Sequence, residues 1–167
     1  ARFRCSTDTT SGPGRMGINE GQDFAGIFDR ELDHLAREIE LYEDEAELWV
    51  TRGEQKNSPG TLALHLCGNL MHYIGDGLGN TGYVRDRDAE FVDRVSRAEL
   101  LERVAACRDA VVPVLEALPD QAFDAVYPGE PPTRMSGIRT RPFLLHLTWH
   151  IGWHRGQIYY HRTGKGV

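Results

Sequence analysis

The sequence of 167 residues lacks several features that would define its class at once. Its three cysteines, Cys5, Cys67 and Cys107, are an odd number without a Cys-x-x-Cys pair, which disfavours a disulfide scaffold and favours a reducing cytoplasm. No apolar run approaches the roughly 18 residues that a membrane span needs. The 19 basic residues are fewer than the 25 acidic ones, which speaks against a general nucleic-acid binder, because phosphates attract a surplus of Lys and Arg.

Other common functional signatures are also missing. There is no Gly-x-Ser-x-Gly nucleophile turn, and the glycines between residues 75 and 82 lack the Lys-[Ser/Thr] of a phosphate-binding loop. Residues 1–21 are polar and contain no apolar segment of the kind found in signal peptides, so we expect no secretory signal there. We predict a flexible tail over residues 1–21, with Met16 as a candidate natural start, and a single domain over residues 22–167.

What the sequence does contain is helical periodicity. The first segment has an apolar stripe with spacings of three and four residues, which predicts one long amphipathic helix ending near Gly53. The stripe consists of Ala25, Phe28, Leu32, Leu35, Ile39, Tyr42, Ala46 and Trp49.

Three more helices follow from stripes and capping signals. The second is predicted over about residues 59–76 with Ser58 as its N-cap, and the fourth over about residues 142–163. Ser96 and Glu99 form a capping box that begins the third helix. These patterns predict an all-α four-helix bundle, and the long links after the second and third helices are typical of functional loops or crossovers.

Charge is unevenly distributed between two of these helices. Residues 22–52 contain ten acidic and three basic residues, whereas residues 139–167 contain five basic residues and no acidic one. We interpret these segments as helix faces that attract each other when the helices pack side by side.

The stripes of the second and fourth helices contain polar residues, and His65, His150 and His154 are the most informative of them. Buried polar groups need partners, so several of them on facing core stripes indicate a shared one, such as a divalent metal. His150 and His154 lie one helical turn apart and can chelate one ion, with His65 as third ligand. Neutral imidazoles suit zinc, nickel, copper or iron.

Spacing alone does not choose between the possible pairs on the fourth helix, because His146 and His150 are also four residues apart. His154 faces the interior in both registers of the stripe, which selects the later pair, and we expect His146 and His161 at the helix ends or on the surface. Asn69 and His72 are candidates for lining the substrate pocket, although satisfied polar residues of the core would give the same pattern.

The segment 149–158, with its His-x₃-His-Arg-Gly-Gln sequence, resembles the closing signature of the DinB/YfiT-like superfamily. The stretch Leu-His-Leu-Cys-Gly-Asn at residues 64–69 resembles the start of that family's second helix. The resemblance implies a four-helix bundle in which His65, His150 and His154 hold one divalent ion such as zinc, nickel or iron. It further implies a homodimer, and its characterised relatives include thiol-dependent S-transferases, a mycothiol-dependent maleylpyruvate isomerase and metal-dependent hydrolases.

We therefore expect a cytoplasmic metal-dependent enzyme acting on a small molecule. Transfer of a low-molecular-weight thiol to a small electrophile is the first hypothesis, and metal-assisted hydrolysis is the second. The alternative is a non-catalytic bundle that binds metal or senses a small molecule, as a stress-related homodimer. None of these hypotheses involves a nucleic acid or a membrane.

Overall fold

Four long helices carry the fold over residues 19–164, the part of the chain that the computed structural model describes. In chain order the α-helices of five or more residues are α1 (Glu20–Glu40), α2 (Pro59–Leu70), α3 (Arg87–Val92), α4 (Arg97–Glu116), α5 (Asp120–Asp124) and α6 (Thr140–Thr163). Helix α2 continues as a π-helix over Met71–Asp76 and a short α-helical turn at Gly77–Gly79, so the predicted second helix extends to residue 76. The predicted all-α class is confirmed, since the described residues contain no β-strand and only one isolated bridge. The four predicted helices correspond to α1, α2, α4 and α6, and the short helices α3 and α5 lie in the long links.

Helix α1 packs against α4 and α6, and α2 packs against the same two helices from the opposite side. Three ion pairs join α1 to α6 in the same order along both helices, so these two neighbours run parallel. The pairs are Glu20–Arg141 at 2.8 Å, Glu31–Arg155 at 2.9 Å and Glu38–Arg162 at 2.8 Å. The acidic first helix and the basic last helix therefore attract each other as predicted.

The first helix is shorter than predicted. It ends at Glu40 rather than near Gly53, and a separate 3-10 helix follows at Glu45–Trp49. The side chain of Asp44 accepts a hydrogen bond from the Ala46 amide, which starts the new helix instead of continuing the old one. Acidic residues are also unfavourable at the carboxyl end of a helix, where the helix dipole is negative.

The predicted caps of two other helices are present. The Ser58 hydroxyl accepts a hydrogen bond from the Thr61 amide, and Pro59 is the first residue of α2. The Ser96 hydroxyl accepts one from the Glu99 amide at 3.2 Å at the start of α4. Both serines therefore set the first turn of their helices.

The start of α1 lies within the segment predicted as a tail. Asn19 caps the helix by accepting a hydrogen bond from the Gln22 amide, and the helix begins at Glu20. The remainder of the predicted tail, residues 1–18, lies outside the described residues. None of the helices described is long and apolar enough to cross a membrane.

His161 lies near the end of the last helix, one of the two places expected for it, but it is buried and not on the surface. The turn after α1 places Tyr42 over this end of α6, and the Tyr42 hydroxyl lies 2.9 Å from His161 Nδ1. The same hydroxyl donates a hydrogen bond to the Ile158 carbonyl at 3.1 Å. Burial raises the pKa of Tyr42 further above neutral, so the hydroxyl remains a hydrogen-bond donor well into the alkaline range.

We expect Tyr42→Phe to lower the free energy of unfolding by about 1–2 kcal/mol, because it removes buried hydrogen bonds between α6 and the turn after α1. Urea unfolding followed by circular dichroism measures this change. Tyr160→Phe is the matched control, since the Tyr160 side chain is exposed. Equal stability of the two variants would contradict the prediction.

Candidate metal centre

Three histidine side chains converge between α2 and α6. His150 Nε2 lies 3.1 Å from His154 Nε2 and 3.4 Å from His65 Nε2. One ligand atom from each residue lies within 4.8 Å of the other two. His150 and His154 share a face of α6 because they are one turn apart, and α2 places His65 opposite them. The structure thus brings together the three histidines that the sequence singled out as ligands.

The remaining ring nitrogens determine which tautomer His65 and His154 adopt. His65 Nδ1 lies 2.9 Å from a carboxylate oxygen of Glu90, and His154 Nδ1 lies 2.7 Å from the amide oxygen of Gln157. Both oxygens accept hydrogen bonds, so each Nδ1 carries the proton and each Nε2 presents a lone pair. A carboxylate or carbonyl partner of this kind is typical of histidines that ligate metals.

The arrangement fits a divalent ion. The Nε2 lone pairs of His154 and His65 lie 3.1 and 3.4 Å from His150 Nε2, separations that either a proton on His150 Nε2 or a bound cation can bridge. Tetrahedral zinc with bonds of about 2.0–2.1 Å to imidazole would place its nitrogens about 3.3 Å apart. The observed separations therefore match the requirement of a small metal ion.

Burial keeps two of the three histidines in the neutral form that can bind a cation. It is the largest cause that lowers the pKa of His150 to about 3, and the nearby His154 and His65 add to the shift. Burial also lowers the pKa of His154, against the opposing effect of its hydrogen bond to Gln157. His150 and His154 are therefore neutral near pH 7, which is the form that binds metals.

A buried carboxylate supports His65. Glu90 on α3 is 5% exposed and accepts two hydrogen bonds from Arg85, at 2.6 and 2.8 Å. Burial opposes ionisation of Glu90, but the hydrogen bonds from His65 and Arg85 outweigh it and lower the pKa of this carboxyl. A side chain at Gly68 would collide with this carboxylate, so the glycine allows α2 and α3 to approach.

No pattern in the sequence singles out Glu90 or Arg85. Both lie in the link between α2 and α4, where no stripe or motif marks them. The only available signal was the length of that link, since long links are often functional. Their role depends on a contact across 25 residues of sequence between Glu90 and His65.

Two cavities of about 410 Å³ each reach the histidines from different sides. His65 and His150 line the first, which we call the arginine cavity because Arg85, Arg87 and Arg134 also line it. His154 lines the second, which we call the Lys56 cavity after a residue of the loop that borders it.

The two residues predicted for the substrate pocket occupy different places. Asn69 lines the arginine cavity, and its buried amide oxygen has no hydrogen-bond partner among residues 19–164. His72 lines neither of the two cavities, and its ring packs 4.7 Å from the ring of Tyr73. His146 also lines the arginine cavity but does not belong to the convergent group.

The fold and the site define a class: an all-α helical protein with a three-histidine site that could bind a metal ion. A family model of the DinB superfamily matches residues 28–158, which are most of the chain. The protein belongs to the DinB superfamily. Comparison with curated proteins finds no match, and comparison with solved structures finds none either.

We expect alanine at His65, His150 or His154 to lower zinc affinity by about two orders of magnitude or more, because each change removes a ligand. Competition with a chromophoric zinc chelator measures the affinity. His72→Ala and His146→Ala are the controls and should bind zinc almost normally. Loss of binding in His146→Ala with normal binding in His154→Ala would show that the other pair on α6 chelates.

We expect Gln157→Ala to weaken zinc binding by about 10- to 100-fold, because His154 Nδ1 loses the oxygen that orients its ring. Gln157→Glu retains an oxygen acceptor and should bind zinc at least as tightly as the native protein. The same chelator competition compares them. Equal loss in both variants would contradict a role for the acceptor.

Proposed function

We propose that the protein is a metal-dependent enzyme that transfers a thiol to a small electrophile. The observation that supports a metal centre is the convergence of three Nε2 atoms, two of them fixed by partners at Nδ1. His65, His150 and His154 would hold the ion. Three protein ligands are the number found in catalytic zinc sites, where another position remains for water or substrate.

When bound, the ion would polarise a substrate or lower the pKa of a coordinated thiol or water near neutral pH. The chain's own residues position the site. Glu90 and Gln157 accept hydrogen bonds from the Nδ1 atoms of His65 and His154. Arg85 donates hydrogen bonds to Glu90 and keeps its carboxylate ionised. Zinc, nickel and iron are the candidate ions, since all three accept neutral imidazole.

The two cavities favour a reaction between two molecules. A thiol and an electrophile could reach the centre separately, one beside His154 and the other beside His65 and His150. Hydrolysis, the second hypothesis, needs room for one substrate and a water. A low-molecular-weight thiol is therefore the proposed co-substrate, and a reducing cytoplasm is the proposed compartment, which fits the free thiols of Cys67 and Cys107.

The test begins with metal analysis of protein purified without a histidine tag. The zinc-loaded protein is then assayed with glutathione or dithiothreitol and 1-chloro-2,4-dinitrobenzene, and separately with p-nitrophenyl acetate. We expect thiol consumption well above the uncatalysed rate, abolished in His150→Ala. Ester cleavage without thiol transfer would favour the hydrolase. Zinc binding without turnover on broader panels of thiols, electrophiles and esters would favour the non-catalytic metal-binding or sensing bundle.

We also propose a homodimer formed through an exposed row on α6. Trp149 and Trp153 are 58% and 56% exposed, their rings lie 5.9 Å apart, and Leu145 continues the row. Aromatic residues are enriched in protein interfaces. We expect light scattering to give twice the 18.8 kDa chain mass and Trp153→Glu to weaken the dimer. A native monomer at micromolar concentration would contradict this proposal.

A further inference from the structure

The arginine cavity has a wall of positive charge. Arg85, Arg87 and Arg134 line it, and among the described residues that line it none is acidic. Glu90, which does not line this cavity, accepts two hydrogen bonds from Arg85 and neutralises its charge. Arg87 lies over the ring of Phe91, and Arg134 makes no hydrogen bond or ion pair within the described residues. Two guanidinium groups are therefore available to an anion that enters the cavity.

The same cavity has aromatic walls. Tyr73, Phe143 and Trp149 line it together with Pro132 and Leu147. A volume of about 410 Å³ lies within the range that small organic ligands occupy. A small inorganic anion would leave these apolar surfaces uncovered, whereas a planar ring could pack against them while its charged group meets the arginines.

A buried acceptor completes the set of contacts. Asn69 is 7% exposed and lines the cavity beside His65 and His150, and within the described part of the chain its amide oxygen has no hydrogen-bond partner. Burying such an oxygen unsatisfied costs free energy, which a ligand with a hydroxyl, amine or thiol hydrogen would recover. The residue thus adds a polar requirement to a site that is otherwise cationic and aromatic.

We propose that the arginine cavity binds an aromatic carboxylate that carries a hydrogen-bond donor. Arg134 and Arg87 bind its carboxylate, the aromatic side chains pack against its ring, and Asn69 accepts a hydrogen bond from its donor group. That this ligand is the substrate rests on the proposed function, because only an active centre would turn it over. The selectivity of the cavity for a carboxylate can be measured separately.

Calorimetric titration of the full chain with 4-hydroxybenzoate, 4-hydroxybenzamide and benzoate tests the proposal. We expect 4-hydroxybenzoate to bind about tenfold more tightly than its neutral amide, and Arg134→Gln to remove this preference. Arg37→Gln is the matched control, because it removes the same charge from an exposed site on α1. The advantage of 4-hydroxybenzoate over benzoate should disappear in Asn69→Ala.

Each titration is repeated with zinc and after treatment with a chelator. A carboxylate preference that survives chelation and is lost only in Arg134→Gln supports the proposal. Equal affinity for acid and amide, no binding at millimolar concentration, or equal weakening by Arg37→Gln would overturn it. A preference that needs zinc and ignores Arg134→Gln would also overturn it, because the metal would then be the anion's partner.

The two proposals can fail separately. If zinc binds but the carboxylate shows no preference, the ligand class is wrong and the metal-dependent function stands. If zinc does not bind but the carboxylate preference depends on Arg134, the cavity assignment stands and the metal-dependent function is wrong.

Discussion

The structure depends on keeping three imidazole lone pairs close together in a partly buried site. His150 Nε2 lies 3.1 Å from His154 Nε2 and 3.4 Å from His65 Nε2, so a proton on His150 Nε2 or a bound cation must lie between these atoms. The protein fixes two of the rings through Nδ1, so that their Nε2 lone pairs point into the site. Glu90 orients His65 in this way, and Gln157 orients His154. The position of α2 against α6 then decides whether the three atoms meet.

Helix α6 is held in position by contacts remote from the histidines. The three ion pairs with α1 are partly buried, and Tyr42 adds a hydrogen bond near the end of the helix. Because α1 and α6 run parallel, the chain cannot connect its helices through short turns alone. The long links that result carry functional groups: one supplies Arg85 and Glu90, and the other supplies Arg134 to the cavity wall. The parallel arrangement of α1 and α6 therefore requires the long links that supply these side chains to the site.

The site carries polar groups that would weaken an ordinary core. Glu90 is buried, and both the Asn69 oxygen and His150 Nδ1 lack hydrogen-bond partners among the described residues. Buried polar groups of this kind cost free energy and are found where a ligand or ion satisfies them. Gly68 has no side chain, which leaves space for the Glu90 carboxylate beside α2. These polar groups therefore lower stability, and they surround a site that could hold a metal ion.

Local spacing in the sequence determined the helices, the caps at Ser58 and Ser96, and the choice of His65 among the stripe residues, because helical periodicity and capping are short-range properties. The same spacing overestimated the length of the first helix, because the apolar pattern continues through the turn after Glu40. A capping aspartate and tertiary contacts impose that turn. Only the tertiary structure decided that His161 is buried by Tyr42 and that Glu90 orients a histidine. Those contacts join segments that are far apart in the chain. A periodic pattern reflects only neighbouring residues, so it does not predict which distant side chains will be in contact.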